Sequence, residues 1–159
     1  AQTWNELGTL AVLAEAGYHA VAIDWPGSGA TPSWAAVDGD ELLGGVCAEL
    51  GGRSIVLVAP SLGGRFAVEF LQRSPAARSV AGLVAIAPAL TRAVEEPWTQ
   101  PTLLVWGERD EVVPLEWGQT LAQRLAARLE VLPGAGHPCY LEQPERFHAL
   151  LLGFLAALE

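Results

Sequence analysis

The chain has 159 residues, 51% hydrophobic and 17% charged, which suits one packed domain over residues 1–159 and excludes a disordered chain. Its net charge is −9 and its nine basic residues are all Arg without a dense run, so the electrostatic footprint of a nucleic-acid binder is missing. Cys47 and Cys139 are too few for a disulfide framework, no stretch approaches the ~20 apolar residues of a membrane span, and no signal peptide is visible, a combination expected of a cytoplasmic protein without membrane attachment.

Taken in chain order, helices and strands alternate. Trp4 to Ala16 reads as a helix with Thr3 as N-cap and Gly17 as its stop. Val21-Ala22-Ile23 is a short apolar strand ending at Asp24, and Asp24 to Gly29 is a loop. Asp40 to Leu50 is a helix closed by Gly51-Gly52, Ile55 to Val58 a strand, and Leu62 to Gln72 a helix stopped near Pro75. Leu83 to Ile86 and Leu103 to Trp106 read as strands, Leu115 to Arg128 as a helix, and Leu129 to Leu132 as the last strand. Pro144 opens the final helix, where its missing N–H costs nothing, and Phe147, Leu150, Leu151, Phe154, Leu155 and Leu158 share one face. Continuous apolar strands alternating with helices imply an α/β fold: a mostly parallel sheet with right-handed crossovers and helices on both faces, three layers in all.

Three loops carry chemistry. Ala59-Pro60-Ser61-Leu62-Gly63-Gly64 lies between a buried strand and a helix, the context of a nucleophile elbow. Such a turn lifts the Ser61 hydroxyl above the sheet, needs small neighbours at Ala59 and Gly63, and aims the Leu62 N–H at a developing oxyanion. Trp106-Gly107-Glu108-Arg109-Asp110 follows a strand, where a sheet of this kind keeps its site. Asp110 is the preferred orienting acid because Val112-Val113-Pro114 follows it, with Glu108 as its rival. Gly134-Ala135-Gly136-His137-Pro138 follows the last strand, and a Gly-rich loop lets a base reach across the sheet top to the serine. Ser, acid and His in that order, each after its own strand, form a triad of nucleophile, orienter and base.

Other features have plainer readings. His19 and His148 are structural or exposed, and Cys139 is a buried thiol rather than a second nucleophile. Asp24, Gly27 and Gly29 form a turn at the pocket rim, since Pro32 stands where a dinucleotide loop needs its third glycine. No pair of His or Cys has metal-ligand spacing, so no metal is expected. The stretch from Pro88 to Pro101 is too short for a lid, which leaves the site open, with Trp98 shading it and Trp25 and Pro60 beside the substrate.

These motifs place the chain in the α/β-hydrolase superfamily by resemblance. Longer stretches resemble its small lidless branch, the abhydrolase domain-containing protein 14 group: Thr3-Trp4, Leu7 to Leu10, Ala16 to Tyr18, Ala20 to Asp24, Pro26-Gly27, Pro60 to Leu62, and above all Gly134 to Leu141. The resemblance implies triad roles for Ser61, Asp110 and His137 and hydrolysis of small acyl esters without a cofactor. It also implies deacetylation of protein lysines, with coenzyme A as a candidate acyl acceptor. By the same resemblance, family members carry further strands before the first helix seen here, the last ending in a His-Gly loop that supplies a second oxyanion N–H. Residues are therefore expected upstream of Ala1. Without that strand, Val21–Ile23 and Ile55–Val58 are expected to face a gap, answered by direct pairing, by recruiting another chain, or by leaving an aggregation-prone edge. The rival readings are a cofactor-free haloperoxidase- or perhydrolase-like enzyme on the same triad, a binding protein that kept the fold, and an inactive fragment.

Overall fold

The computed structural model describes residues 1–29, 31, 39–51, 53–90, 94 and 98–159. Among the described residues, four strands form one sheet in the order β1 (Ile55–Pro60), β2 (Val80–Ile86), β3 (Thr102–Gly107) and β4 (Arg128–Leu132), every neighbouring pair parallel. Strand neighbours in space are neighbours in sequence, so each successive connection moves one position across the sheet. β3 is buried at every residue and β2 at all but Ala81, the double coverage that their unbroken apolar runs anticipate.

Alternation along the strands divides the core. Leu83, Ala85 and Leu104 face a cluster with α3 (Gly39–Leu50), α4 (Ser61–Arg73) and α5 (Leu115–Leu125), through Leu43, Phe70 and Leu121. Val84, Ile86, Leu103 and Val105 face the opposite cluster, closed by Leu13 of α2 (Thr9–Glu15) and by Phe147, Leu151, Phe154 and Leu155 of α7 (Pro144–Ala156). Helices thus lie on both faces of a parallel sheet. Phe70 and Phe147 are fully buried, one in each cluster. Large side chains of this kind contribute about 1.5–3 kcal/mol each by leaving water.

The structure corrects three boundaries. The first helix is two short ones, α1 (Gln2–Glu6) and α2, because Gly8 takes a left-handed φ of +78° and turns the chain between them; Thr3 lies inside α1 and caps nothing. α5 stops at Leu125 rather than Arg128: Ala126 adopts φ +50°, and Arg128 joins β4 opposite Leu103. A short helix, α6 (Cys139–Glu142), precedes α7. Among the described residues no helix is long and apolar enough to cross a membrane.

Val21–Ile23 is not a strand here. Among the described residues it forms no ladder and β1 pairs only with β2, and Val21 is half exposed. Between the Tyr18–Pro26 segment and β1 runs a groove of about 1050 Å³, lined on one side by Val21 and Ile23 and on the other by Val56, Val58 and Ser61. Among the described residues Val21–Ile23 and β1 do not pair directly, and the groove separates them.

Candidate active site

Ser61 is the first residue of α4, directly after β1, and its backbone is left-handed at φ +47°. A non-glycine residue holds that conformation at a cost of about 1–3 kcal/mol, and such strain clusters at functional positions. The surroundings explain why the turn survives. A Cβ on Gly64 would lie 2.8 Å from Pro88 Cβ and 2.9 Å from the Ala59 carbonyl, while one on Gly63 would lie 3.0 Å from the Trp25 indole nitrogen. Gly64, which the elbow pattern did not single out, is therefore the tighter of the two positions. The Ser61 carbonyl accepts from Ala89 N–H at 3.0 Å, tying the elbow to the chain after β2.

His137 stands in the loop after β4 and Asp110 in the loop after β3, so all three side chains gather at the C-terminal edge of the sheet. His137 Nε2 lies 2.9 Å from Ser61 Oγ, and His137 Nδ1 lies 2.8 Å from Asp110 Oδ2. A carboxylate only accepts, so in the neutral ring Nδ1 carries the proton and Nε2 is left to accept from the serine hydroxyl. The Asp110 side chain has no solvent exposure. Its second oxygen accepts the Val112 and Val113 N–H groups at 2.9 and 2.8 Å. The Trp106 indole donates to Val113 O at 2.8 Å and pins this loop from below, a role nothing in the sequence pattern signalled. The rival Glu108 accepts instead from Gly134 N–H at 2.7 Å.

Leu62 lies in the first turn of the 13-residue α4, where N–H groups lack partners within the helix and the helix dipole favours negative charge. Its side chain is half exposed, and with Trp25 and Pro60 it lines the same groove as Ser61. Trp25 packs on Phe66 with ring centroids 4.7 Å apart. Trp98 is elsewhere. It is buried in the core, and its indole donates to Thr102 Oγ1 at 2.8 Å, at the start of β3. β3 runs on from there to Gly107, about 16 Å at ~3.3 Å per residue, so Trp98 does not shade the site. Of the stretch expected to leave the site without a lid, residues 91–93 and 95–97 lie outside the described residues, as does Pro32 of the rim turn.

The other histidines and Cys139 lie outside this hydrogen-bond line. His19 meets Arg53 at 3.0 Å on the surface, and His148 Nε2 meets Thr9 Oγ1 at 2.9 Å, joining α7 to α2. Cys139 is fully buried, and burial pushes its thiol up to about 12, with Asp110 and Glu142 adding to the rise. It is a thiol, not a thiolate, at neutral pH.

Residues 3–98 match the family model described as alpha/beta hydrolase fold, and residues 84–157 match one described as TAP-like protein. The chain is 39% identical to Protein ABHD14A of Danio rerio over 99% of its own length and 61% of that protein's. It is 41% identical to the Rattus norvegicus protein named "Putative protein-lysine deacylase ABHD14B", covering 99% of this chain and 78% of that one. A crystal structure titled as a predicted CIB-like hydrolase from Thermoplasma acidophilum superposes with a TM-score of 0.86 at 30% identity, over 96% of this chain and 78% of the other. The chain thus spans less than two thirds of the ABHD14A protein it matches.

Proposed function

This chain belongs to the α/β hydrolase fold family, and from that premise we propose that it is a serine hydrolase, cleaving small acyl esters or acylated amines through an acyl-enzyme. The observation that carries the reading is the unbroken hydrogen-bond line from Ser61 Oγ through the His137 ring to a fully enclosed Asp110 carboxylate, starting from a serine held in a left-handed turn. Ser61 Oγ attacks the carbonyl carbon while His137 Nε2 takes its proton. Asp110 holds the imidazole in the required tautomer and stabilises the imidazolium that forms. The Leu62 N–H stabilises the oxyanion, one such donor being worth about 10²–10³ in kcat. The imidazolium then protonates the departing alcohol or amine, and a water, activated by the same base, releases the acyl group and returns the proton to Ser61.

Trp25, Pro60 and Leu62 border the Ser61 turn and are the candidate substrate contacts. The name of the ABHD14B relative supports an acylated lysine as one leaving group. The test is hydrolysis of p-nitrophenyl acetate by the parent and by Ser61→Ala. The variant should fall to the rate of buffer while keeping the parent's circular dichroism. Parent-like turnover from Ser61→Ala would remove Ser61 as nucleophile.

A further inference from the structure

The loop that carries His137 is held by side chains that the triad does not include. Pro133 O accepts from Gln143 Nε2 at 2.7 Å, Gly134 N–H donates to Glu108 Oε2 at 2.7 Å, and Gly136 N–H donates to Glu142 Oε2 at 3.1 Å. Backbone bonds complete the attachment: Glu108 N–H to Leu132 O at 3.1 Å and Arg109 N–H to Ala135 O at 2.8 Å. The acid loop and the base loop are therefore stitched together just before each delivers its catalytic side chain. Glu108 is two residues before Asp110, and Gly136 is the residue before His137.

We infer that Glu108 and Glu142 form a carboxylate clasp on the base loop, a pair of positioning residues that set the reach of His137 toward Ser61. The chemistry requires carboxylates or their isosteres because both ends of the clasp are backbone N–H groups, which need acceptors. Glycine-rich backbone has many accessible conformations, so a loop of Gly134, Ala135 and Gly136 does not settle on one without such anchors. Gly134 stands at φ +74°, a conformation the Glu108 contact helps select. Glu108 thus serves the site as an anchor, and of the two acids it is Asp110 that bonds to the imidazole. Both clasp contacts are solvent-exposed, so they add little to global stability while governing the geometry of one loop.

The inference rests on Ser61 being the nucleophile, and the test separates the two. The probe is a fluorophosphonate, and the readout is the second-order rate of Ser61 phosphonylation by intact mass, which needs no turnover. Glu108→Ala and Glu142→Ala should each slow labelling about tenfold and the double variant about 10²-fold, the scale of a misplacement near 1 Å. Melting temperatures should stay within about 3 °C of the parent, below the shift that a loss of ~1 kcal/mol produces in a domain of this size. Glu108→Gln should label within about threefold of the parent, since an amide oxygen still accepts from Gly134 N–H. Parent-rate labelling of Glu108→Ala, or a Glu108→Gln variant as slow as Glu108→Ala, would overturn the clasp. So would a loss of rate that simply follows a large fall in melting temperature. If the parent is not labelled at Ser61, the serine-hydrolase reading itself fails and the clasp goes with it.

Discussion

Replacing Gly107 with Ala would place a methyl carbon 2.0 Å from the Gly136 carbonyl oxygen and 2.5 Å from that of Ala135. Real Cβ atoms essentially never come closer than 3.0 Å to another heavy atom, and both obstacles are backbone, so no side-chain rotation relieves the clash. The base loop must retreat by about 1 Å, or β3 must give way beneath it. Since Gly136 precedes His137, the retreat carries the imidazole with it, and the 2.9 Å contact between Nε2 and Ser61 Oγ opens beyond hydrogen-bond range. A displacement of that size costs about 10²-fold in rate. Overpacking of this kind costs about 1–3 kcal/mol of stability, which a thermal melt reads as a fall of roughly 3–10 °C. The assay is kcat and KM on p-nitrophenyl acetate with circular dichroism to verify folding. Gly153→Ala is the control: a methyl there, in α7, meets nothing within 4 Å beyond its own helix backbone, and exchanging Gly for Ala in a helix is stabilising by about 0.5–1 kcal/mol. A folded Gly107→Ala protein with kcat within about threefold of the parent would refute the reasoning, because it would mean that His137 does not depend on the close approach of the two loops.

Asp110→Asn should lower kcat by up to ~10⁴, because an amide at that position no longer enforces the tautomer with its proton on Nδ1; a loss under tenfold in a kinetic assay would count against Asp110 as the orienting acid. Cys139, with its thiol pushed up to about 12, should resist iodoacetamide in the folded protein at about pH 8 and react only after unfolding; fast native alkylation, read by mass, would show that the thiol is not enclosed. Burial holds the His148 imidazole below its ordinary 6.5, against a smaller opposing pull from Glu145. The unfolded chain therefore takes up that proton first as pH falls, so the stability contributed is complete above about pH 6.5 and is lost below it. Denaturant melts of the parent and of His148→Gln should differ more at about pH 8 than at about pH 5, and an equal or reversed difference would contradict this account.

Much of the architecture was legible in the sequence because burial on both faces leaves a continuous mark. The apolar runs at Ile55–Val58, Leu83–Ile86 and Leu103–Trp106 each became a strand of one parallel sheet, and the face of the last helix from Phe147 to Leu155 became one wall of the core. Local pattern favours Asp110 over Glu108, and the structure sets Asp110 against His137 and Glu108 against Gly134. Gly8 and Ala126 escaped because a left-handed residue ends a helix through its backbone angle, which apolar periodicity does not register. Val21–Ile23 has the composition of a strand, yet a strand exists only through a partner's hydrogen bonds, and β1 across the groove does not supply them.

What the sequence determined by itself were the local tendencies: which segments are apolar, where turns break them, and which residue types with usable chemistry follow each strand. Tertiary structure decided the rest, because it depends on distances between residues far apart in the chain. Ser61 and His137 are 76 positions apart and meet at 2.9 Å. Trp98, read as a neighbour of the site, is drawn by Thr102 to the opposite end of β3. Gly64 and Gly107 are left without room for a side chain only because Pro88 and Gly136 close on them. Spacing along the chain holds no record of such approaches, since each arises from where a sheet and its crossovers place two loops in space.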